Sequence, residues 1–224
     1  KGDSPGPWLM ELGLGVYTHL ASDAGRYRRL DLIDINMMAP GLKTEKLARG
    51  YHYIEAQTDD ARLVMRILHD GLLQSQGKSL AVNYCRVTGL LRKGRKVVGV
   101  CMRNEITGET REVPASLVIN ASGVWADHLR QQIGASNRLR PLRGSHLFFG
   151  LSRFPVYQAI AFSHPDDGRP VFVYPWEGMA LVGTTDMDHK FPLGREPSIS
   201  KEEADYLLSA IQNFFPELEL TRND

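Results

Sequence analysis

A short apolar run that leads directly into a glycine turn and a helical pattern is the sequence feature that most constrains this fold. Residues 117–121 read Leu-Val-Ile-Asn-Ala, Ser122 and Gly123 follow, and a helical pattern covers residues 124–133. A strand buried on both faces that turns on glycine into a helix is typical of α/β nucleotide-binding domains, whose ligands lie beyond the carboxyl ends of the strands. Small side chains in this turn let a cofactor approach the backbone, although the same turn also occurs without a ligand.

Hydrophobic periodicity predicts the remaining elements. Helices are predicted for residues 8–20, 58–77 (capped by Thr58) and 202–215, and residues 21–47 are predicted to be irregular. Ser200 and Glu203 form the Ser-x-x-Glu pattern of a capping box before the last helix. Strands are predicted for residues 50–56, 79–84, 86–92, 96–104, 110–113, 117–121, 147–149, 159–162, 171–174 and 180–183. The fold class is therefore α+β or α/β, with a mixed and largely antiparallel sheet.

Composition excludes several functional classes. The 27 Lys and Arg residues nearly balance the 26 Asp and Glu residues, for a net charge of +1, which argues against a nucleic-acid partner. The two cysteines, Cys85 and Cys101, are too few for a disulfide scaffold and favour a reduced, cytoplasmic setting. Every apolar run is shorter than the roughly 18 residues that a membrane span needs. No P-loop, Gly-x-Ser-x-Gly elbow or metal-ligand spacing is present.

Two further blocks carry candidate chemistry. Arg143-Gly144-Ser145-His146 places a cation and an imidazole just before an apolar strand, where His146 is either a general base or a hydrogen-bonded structural histidine. Residues 183–186, Gly-Thr-Thr-Asp, suit either the orientation of a polyol or phosphate or a tight turn.

Five blocks in fixed order resemble the FAD-dependent glycerol-3-phosphate dehydrogenases of the D-amino-acid-oxidase-like flavoproteins. The blocks are Thr-Asp-Asp-Ala-Arg-Leu-Val (58–64), Val-Asn-Tyr (82–84), Asn-Ala-Ser-Gly-Val-Trp (120–125), Arg-Gly-Ser-His (143–146) and Gly-Thr-Thr-Asp (183–186). Val124 stands where that family usually has proline. The resemblance extends from about Trp8 to Asp224.

The resemblance implies oxidation of sn-glycerol 3-phosphate to dihydroxyacetone phosphate, with electrons passing through FAD to a quinone. His146 matches the catalytic, substrate-side histidine, and Arg143 and Thr185 are expected to bind substrate less directly. Val82 is expected to meet the adenine of FAD through its backbone. Ala121, Ser122 and Gly123 are expected to lie along the dinucleotide.

The resemblance also implies a division of the chain. Residues 1–57 are expected to form a helix and linker, residues 58–135 part of an FAD-binding domain, and residues 136–224 the substrate-binding domain. The family's Gly-x-Gly-x-x-Gly element and its later Gly-x-Arg-Pro segment are missing, so we expect an internal fragment that is inactive alone and binds FAD weakly or not at all. A cytoplasmic location, with peripheral association of the parent protein at the inner membrane face, is also expected.

Two other functions remain open at this point. A different flavin oxidase of the same fold, acting on an amine or amino acid, is the nearest rival. A non-catalytic binding module, in which the glycine turn and His146 are structural, is the second.

Overall fold

The computed structural model describes residues 6–21, 26–45, 47 and 49–224, which fall into two compact units. The first unit contains the described part of residues 1–56 together with residues 142–190 and 195–224. The second unit contains residues 57–141 and 191–194. The sequence-based division at residues 57 and 135 stays a prediction.

The helices in the described part of the chain are α1 (Pro7–Leu20), α2 (Leu32–Met38), α3 (Asp60–Gln74), α4 (Ala126–Gln131) and α5 (Lys201–Phe214). Single 3₁₀ turns lie at Gly123–Trp125 and Pro216–Leu218. The strands are β1 (Arg28–Leu30), β2 (Gly50–His52), β3 (Cys85–Lys93), β4 (Lys96–Asn104), β5 (Thr110–Pro114), β6 (Leu142–Arg143), β7 (His146–Gly150), β8 (Ile160–Ser163), β9 (Pro170–Trp176), β10 (Met179–Gly183) and β11 (Met187–Asp188). Every strand pair is antiparallel.

The core of the first unit is a four-stranded sheet, in the order β7-β10-β9-β8, against which α5 packs. In β9 every second residue points inward, so Val171 and Val173 are fully buried while Phe172 is exposed. Leu207 and Ile211, one helical turn apart on α5, are fully buried in the same cluster. The apolar residues of α5, which recur about every 3.6 positions, thus cover the face of the sheet formed by every second residue of its strands.

A buried aromatic cluster extends this core beyond the sheet. Phe154 is 1% exposed and meets Phe215 edge to face, with 5.0 Å between ring centroids. The chain after α2 is tied to the same region, because the Lys43 amide donates to the Phe214 carbonyl oxygen at 2.7 Å. Burial of these large rings contributes strongly to the stability of the first unit.

Glu11 anchors α1 within the first unit. Its carboxylate accepts from Arg29 at 2.5 Å, from Arg49 at 2.8 Å and from the Tyr51 hydroxyl at 3.0 Å. The hydrogen bond from Arg29 is the largest influence on the pKa of Glu11, which is lowered. Leu14 is buried, while the apolar side of α1 that carries Trp8, Leu12, Val16 and Leu20 is exposed.

The second unit consists of the β3-β4-β5 meander, α3 and α4. Gln132, which follows α4, connects to the meander: its side-chain oxygen accepts from the Leu90 amide at 2.9 Å, and its carbonyl oxygen accepts from Arg92 at 3.1 Å. No residue of α3 is buried, although α3 carries a clear apolar side. On that side Ile67 is 62% exposed.

The structure confirms α1, α3, the meander, the strands around β7 to β10 and the capping box of α5. The mixed α+β fold with antiparallel sheets is confirmed as well. The expected cap at Thr58 is wrong by one residue, because the Asp59 side chain accepts from the Arg62 amide. The irregular segment 21–47 in fact contains α2, whose first turn is capped by Asp31, which accepts from the Asp34 amide at 2.8 Å.

The strands predicted for residues 79–84 and 117–121 are wrong, since neither stretch is a strand in the structure. Leu117 and Ile119 are 76% and 80% exposed, so the run is not buried on both faces. A strand needs a neighbour to accept its ladder hydrogen bonds, and no strand of the described residues pairs with either stretch. Their apolar side chains are accordingly left in solvent.

Candidate active site

Three elements of the first unit bring the predicted substrate-side residues together. Arg143 ends β6, His146 begins β7, and Thr185 lies just after β10. The register places His146 opposite Gly183 on β10. Because β7 and β10 are hydrogen-bonded neighbours, their ends define one edge of the sheet at which these residues cluster.

The buried carboxylate of Glu203 organises this edge. Its Oε1 accepts from the Thr185 hydroxyl at 2.9 Å and from the Ser145 hydroxyl at 3.0 Å, and its Oε2 accepts from Arg143 Nη2 at 2.5 Å. Oε2 also accepts from the Ser200 amide at 2.9 Å, which is the reciprocal half of the capping box. The side chain of Glu203 is 1% exposed, so these hydrogen bonds replace its lost hydration.

Opposing effects act on the pKa of Glu203. Burial by itself raises the pKa, but the hydrogen bonds from Arg143, the Ser200 amide, Thr185 and Ser145 outweigh it and lower the pKa to about 2. The carboxylate is therefore charged throughout the physiological range, and the Arg143 guanidinium beside it neutralises that charge.

Backbone contacts connect the network to His146. The Ser145 amide donates to Thr185 Oγ1 at 2.9 Å, and the Thr185 amide donates to the Ser145 carbonyl oxygen at 3.2 Å. Ser145 directly precedes His146 in the sequence. These two hydrogen bonds, one at the amide and one at the carbonyl oxygen of Ser145, fix the position at which β7 begins.

His146 is exposed to solvent, unlike Ser145 and Thr185, which are buried. Desolvation by neighbouring protein atoms nevertheless lowers the pKa of its imidazole below the usual value of 6.5. A β-carbon on Gly183 would lie only 2.1 Å from His146 Cδ2, so glycine is needed there for the ring to occupy its place. The lowered pKa favours the neutral imidazole, which is the form that can accept a proton.

Arg143 also lines an open surface pocket of about 560 Å³, shared with Gly144, Arg169, Thr184 and Asp186. Arg169 lies 3.2 Å from the Asp186 carboxylate, so its charge is paired. Gly144 packs closely against Thr184, since a β-carbon at position 144 would lie 2.4 Å from Thr184 Oγ1. The pocket offers both hydrogen-bond donors and acceptors to a polar ligand.

The residues predicted to bind a dinucleotide lie in the second unit. Val82 is 56% exposed, and Gly123 has a φ of +55° with nothing within 4 Å of the place where a β-carbon would lie. Asn120 holds the turn, because its Oδ1 accepts from the Ser122 hydroxyl at 2.7 Å and its Nδ2 donates to the Ala126 carbonyl oxygen at 2.9 Å. The turn therefore presents accessible backbone in a conformation that favours glycine.

Comparison with known proteins identifies the family. The model of the FAD-dependent oxidoreductase family, known as DAO, matches residues 11–223. The chain belongs to this family. The whole of this family member is also 37% identical to the aerobic glycerol-3-phosphate dehydrogenase of Bacillus subtilis and 34% identical to that of Staphylococcus aureus.

A solved structure agrees with these sequence relatives. The glycerol-3-phosphate dehydrogenase of Bacillus halodurans, solved in complex with FAD, matches 88% of the chain with a TM-score of 0.79 and 34% identity. The chain spans 40% of the length of the Bacillus subtilis and Staphylococcus aureus relatives and 39% of the solved chain.

The sequence patterns did not reveal one residue of this site. The Ser-x-x-Glu pattern predicts Glu203 as a helix cap, but it does not predict the contacts of Glu203 with Arg143, Ser145 and Thr185. In a Ser-x-x-Glu capping box, one side of the carboxylate is left without a hydrogen-bond partner, and this was the available signal.

Among the described residues, none of the helices has the length and apolar character that crossing a membrane requires.

Proposed function

We propose that the protein to which this chain belongs oxidises sn-glycerol 3-phosphate to dihydroxyacetone phosphate. The observation that carries the proposal is the match of the entire chain, at 37% identity, to an aerobic glycerol-3-phosphate dehydrogenase. The five sequence blocks that carry the resemblance all lie within that match.

The residues of the second unit fit an FAD dinucleotide. Gly123, with a positive φ and open space beside it, leaves room for a ligand against the backbone of the turn. Val82 and Ala121 are exposed as well, so their backbones are accessible. Val82, Ala121, Ser122 and Gly123 would hold the cofactor, and bound FAD would supply the acceptor for the two electrons of the reaction.

His146 is the proposed base. Oxidation of a secondary alcohol to a ketone removes a hydride from carbon and a proton from oxygen. The neutral imidazole of His146, which has no hydrogen-bond partner in the described part of the chain, is available to take the hydroxyl proton. Its lowered pKa favours the unprotonated form, which this role requires.

Arg143 and Thr185 are proposed to support substrate binding indirectly. Thr185 is 3% exposed and donates to Glu203, so its effect on substrate is exerted through the position of Ser145. Arg143 retains 13% side-chain exposure beside the pocket, and its Nη1, which Glu203 leaves unused, suits a hydrogen bond to a phosphate oxygen.

The remaining parts of the proposal concern the electron acceptor and the isolated chain. A quinone at the inner face of the cytoplasmic membrane is the proposed acceptor, reached by a cytoplasmic protein that associates with the membrane peripherally. The 224-residue chain alone is proposed to bind FAD weakly or not at all and to be inactive, since residues 79–84 and 117–121 lack the strand pairing that would order a dinucleotide site.

The test is dye-linked oxidation of sn-glycerol 3-phosphate by the protein at its natural length, together with its visible flavin spectrum. Wild type, His146→Ala and His69→Ala are compared, since His69 is an exposed histidine on α3. We expect flavin in all three and a loss of turnover of about 100-fold or more in His146→Ala alone. Flavin without glycerol 3-phosphate oxidation would favour an amine-oxidising relative, and absence of flavin would favour a binding module.

A further inference from the structure

Glu203 is more heavily bonded than a helix cap requires. A capping box needs one reciprocal pair of hydrogen bonds, which Glu203 and Ser200 provide. The same carboxylate also accepts from the side chains of Arg143, Ser145 and Thr185. Arg143 lies in β6, Ser145 directly precedes β7, and Thr185 follows β10. One carboxylate thus connects α5 to the edge of the sheet where His146 lies.

Burying this carboxylate is expensive unless every contact is kept. The side chain is 1% exposed, and an unpaired charge at such a depth is strongly disfavoured. Apolar residues would fill this space at lower cost, whereas a carboxylate fixes its donors in defined directions. The arrangement therefore favours precise geometry at the sheet edge.

The orientation of Arg143 illustrates this effect. Its Nη2 and Nε donate to Glu203 at 2.5 and 3.4 Å, which occupies one edge of the planar guanidinium. Nη1 donates to no other residue of the described chain. Glu203 thereby determines which edge of Arg143 is left for a ligand.

The position of His146 depends on the same carboxylate. Glu203 holds the hydroxyls of both Ser145 and Thr185, and the backbones of these two residues are hydrogen-bonded to each other. A shift of Ser145 moves the backbone of His146 directly, because the two are adjacent. Among the described residues the imidazole has no hydrogen-bond partner, and its ring packs beside Gly183.

We propose that Glu203 is a positioning residue for substrate oxidation, which sets His146 through Ser145 and Thr185 and sets the free edge of Arg143. The proposal rests on the proposed function. Glu203 does not touch the reacting atoms, and its contribution is the fixed geometry of groups that do.

The test compares Glu203→Gln, Glu203→Asp and Ser145→Ala in the flavin-loaded protein at its natural length. Turnover of sn-glycerol 3-phosphate per bound flavin, KM and melting temperature are measured for each. Glu202→Gln is the matched control, because Glu202 is an exposed neighbour in the same first turn of α5.

Glu203→Gln is expected to lower kcat by about 100-fold at unchanged flavin content, because displacement of reacting groups by about 1 Å has that effect. Glu203→Asp, which keeps the charge, is expected to recover part of the loss. Ser145→Ala removes one hydrogen bond and keeps the Arg143 pair, so a loss of about tenfold is expected even if Glu203→Gln does not fold.

Wild-type kcat and KM in Glu203→Gln or in Ser145→Ala would overturn the inference. A lower melting temperature with unchanged turnover per flavin would do the same, since it would show a purely structural role. A wild-type protein that leaves glycerol 3-phosphate unoxidised would overturn the proposed function itself, which is a distinct result.

Discussion

Replacing Glu203 by glutamine is expected to destabilise the first unit in a manner that depends on pH. The pKa of Glu203 is lowered from 4.5 to about 2 in the folded protein. By linkage this difference stabilises the folded state by about 3 kcal/mol at pH 7, which agrees with the cost of breaking a buried ion pair. Because the folded-state pKa lies below the unfolded-state value, the contribution is complete above about pH 5 and is lost as the pH falls toward 2.

Native-state hydrogen exchange of the β7 and β10 amides measures this contribution in the protein at its natural length. At pH 7 we expect Glu203→Gln to accelerate their exchange by about 150-fold, whereas Glu202→Gln changes the free energy of opening by less than about 1 kcal/mol. At pH 3, after correction for intrinsic exchange rates, the difference should shrink to less than half of its value at pH 7. An effect below about 1 kcal/mol at pH 7, or one independent of pH, would refute the assignment of a charged, buried carboxylate.

Three other substitutions test separate parts of the structure. Gly183→Ala places a β-carbon 2.1 Å from His146 Cδ2, so we expect turnover of glycerol 3-phosphate to fall at least about tenfold, while Gly13→Ala, with open space around it, leaves turnover unchanged. Phe154→Ala empties a site that is 1% exposed and should cost about 3–5 kcal/mol in urea-induced unfolding of the first unit; a loss under about 1 kcal/mol would contradict the packing described. Asp59→Ala removes the cap of α3 and should raise hydrogen exchange in its first turn by an amount equal to about 1 kcal/mol, with unaltered exchange arguing against the cap.

Local signals in the sequence were sufficient for several elements. The capping box at Ser200 and Glu203 and the apolar spacing behind it defined α5, because both act within one helical turn. The turn between β3 and β4 was also predictable from Gly94, which has a φ of +61°. Short-range chemistry of this kind is visible in a single sequence.

Other features depend on partners that are distant in the sequence. Residues 117–121 have the composition of a buried strand, yet a strand requires neighbours, and none of the described strands pairs with this run. The helix α2 is not predicted because its seven residues are too few to show a helical periodicity. The composition of a short apolar run such as residues 117–121 does not show whether a neighbouring strand is present to pair with it.

The candidate site shows the same division. The sequence motifs predict His146, Arg143 and Thr185 as site residues. The role of Glu203 depends instead on contacts with Arg143, Ser145 and Thr185, which precede it in the chain by 60, 58 and 18 positions. No periodicity connects positions so far apart. The sequence therefore supplies the candidate residues, and the structure shows which contacts hold them in place.

The most direct test of this account is anaerobic mixing of the flavin-loaded protein, at its natural length, with sn-glycerol 3-phosphate. The account predicts that the visible absorbance of the flavin bleaches, and that bleaching is at least about 100-fold slower in His146→Ala. Flavin that stays oxidised with glycerol 3-phosphate, or that bleaches equally fast without the His146 imidazole, would contradict it.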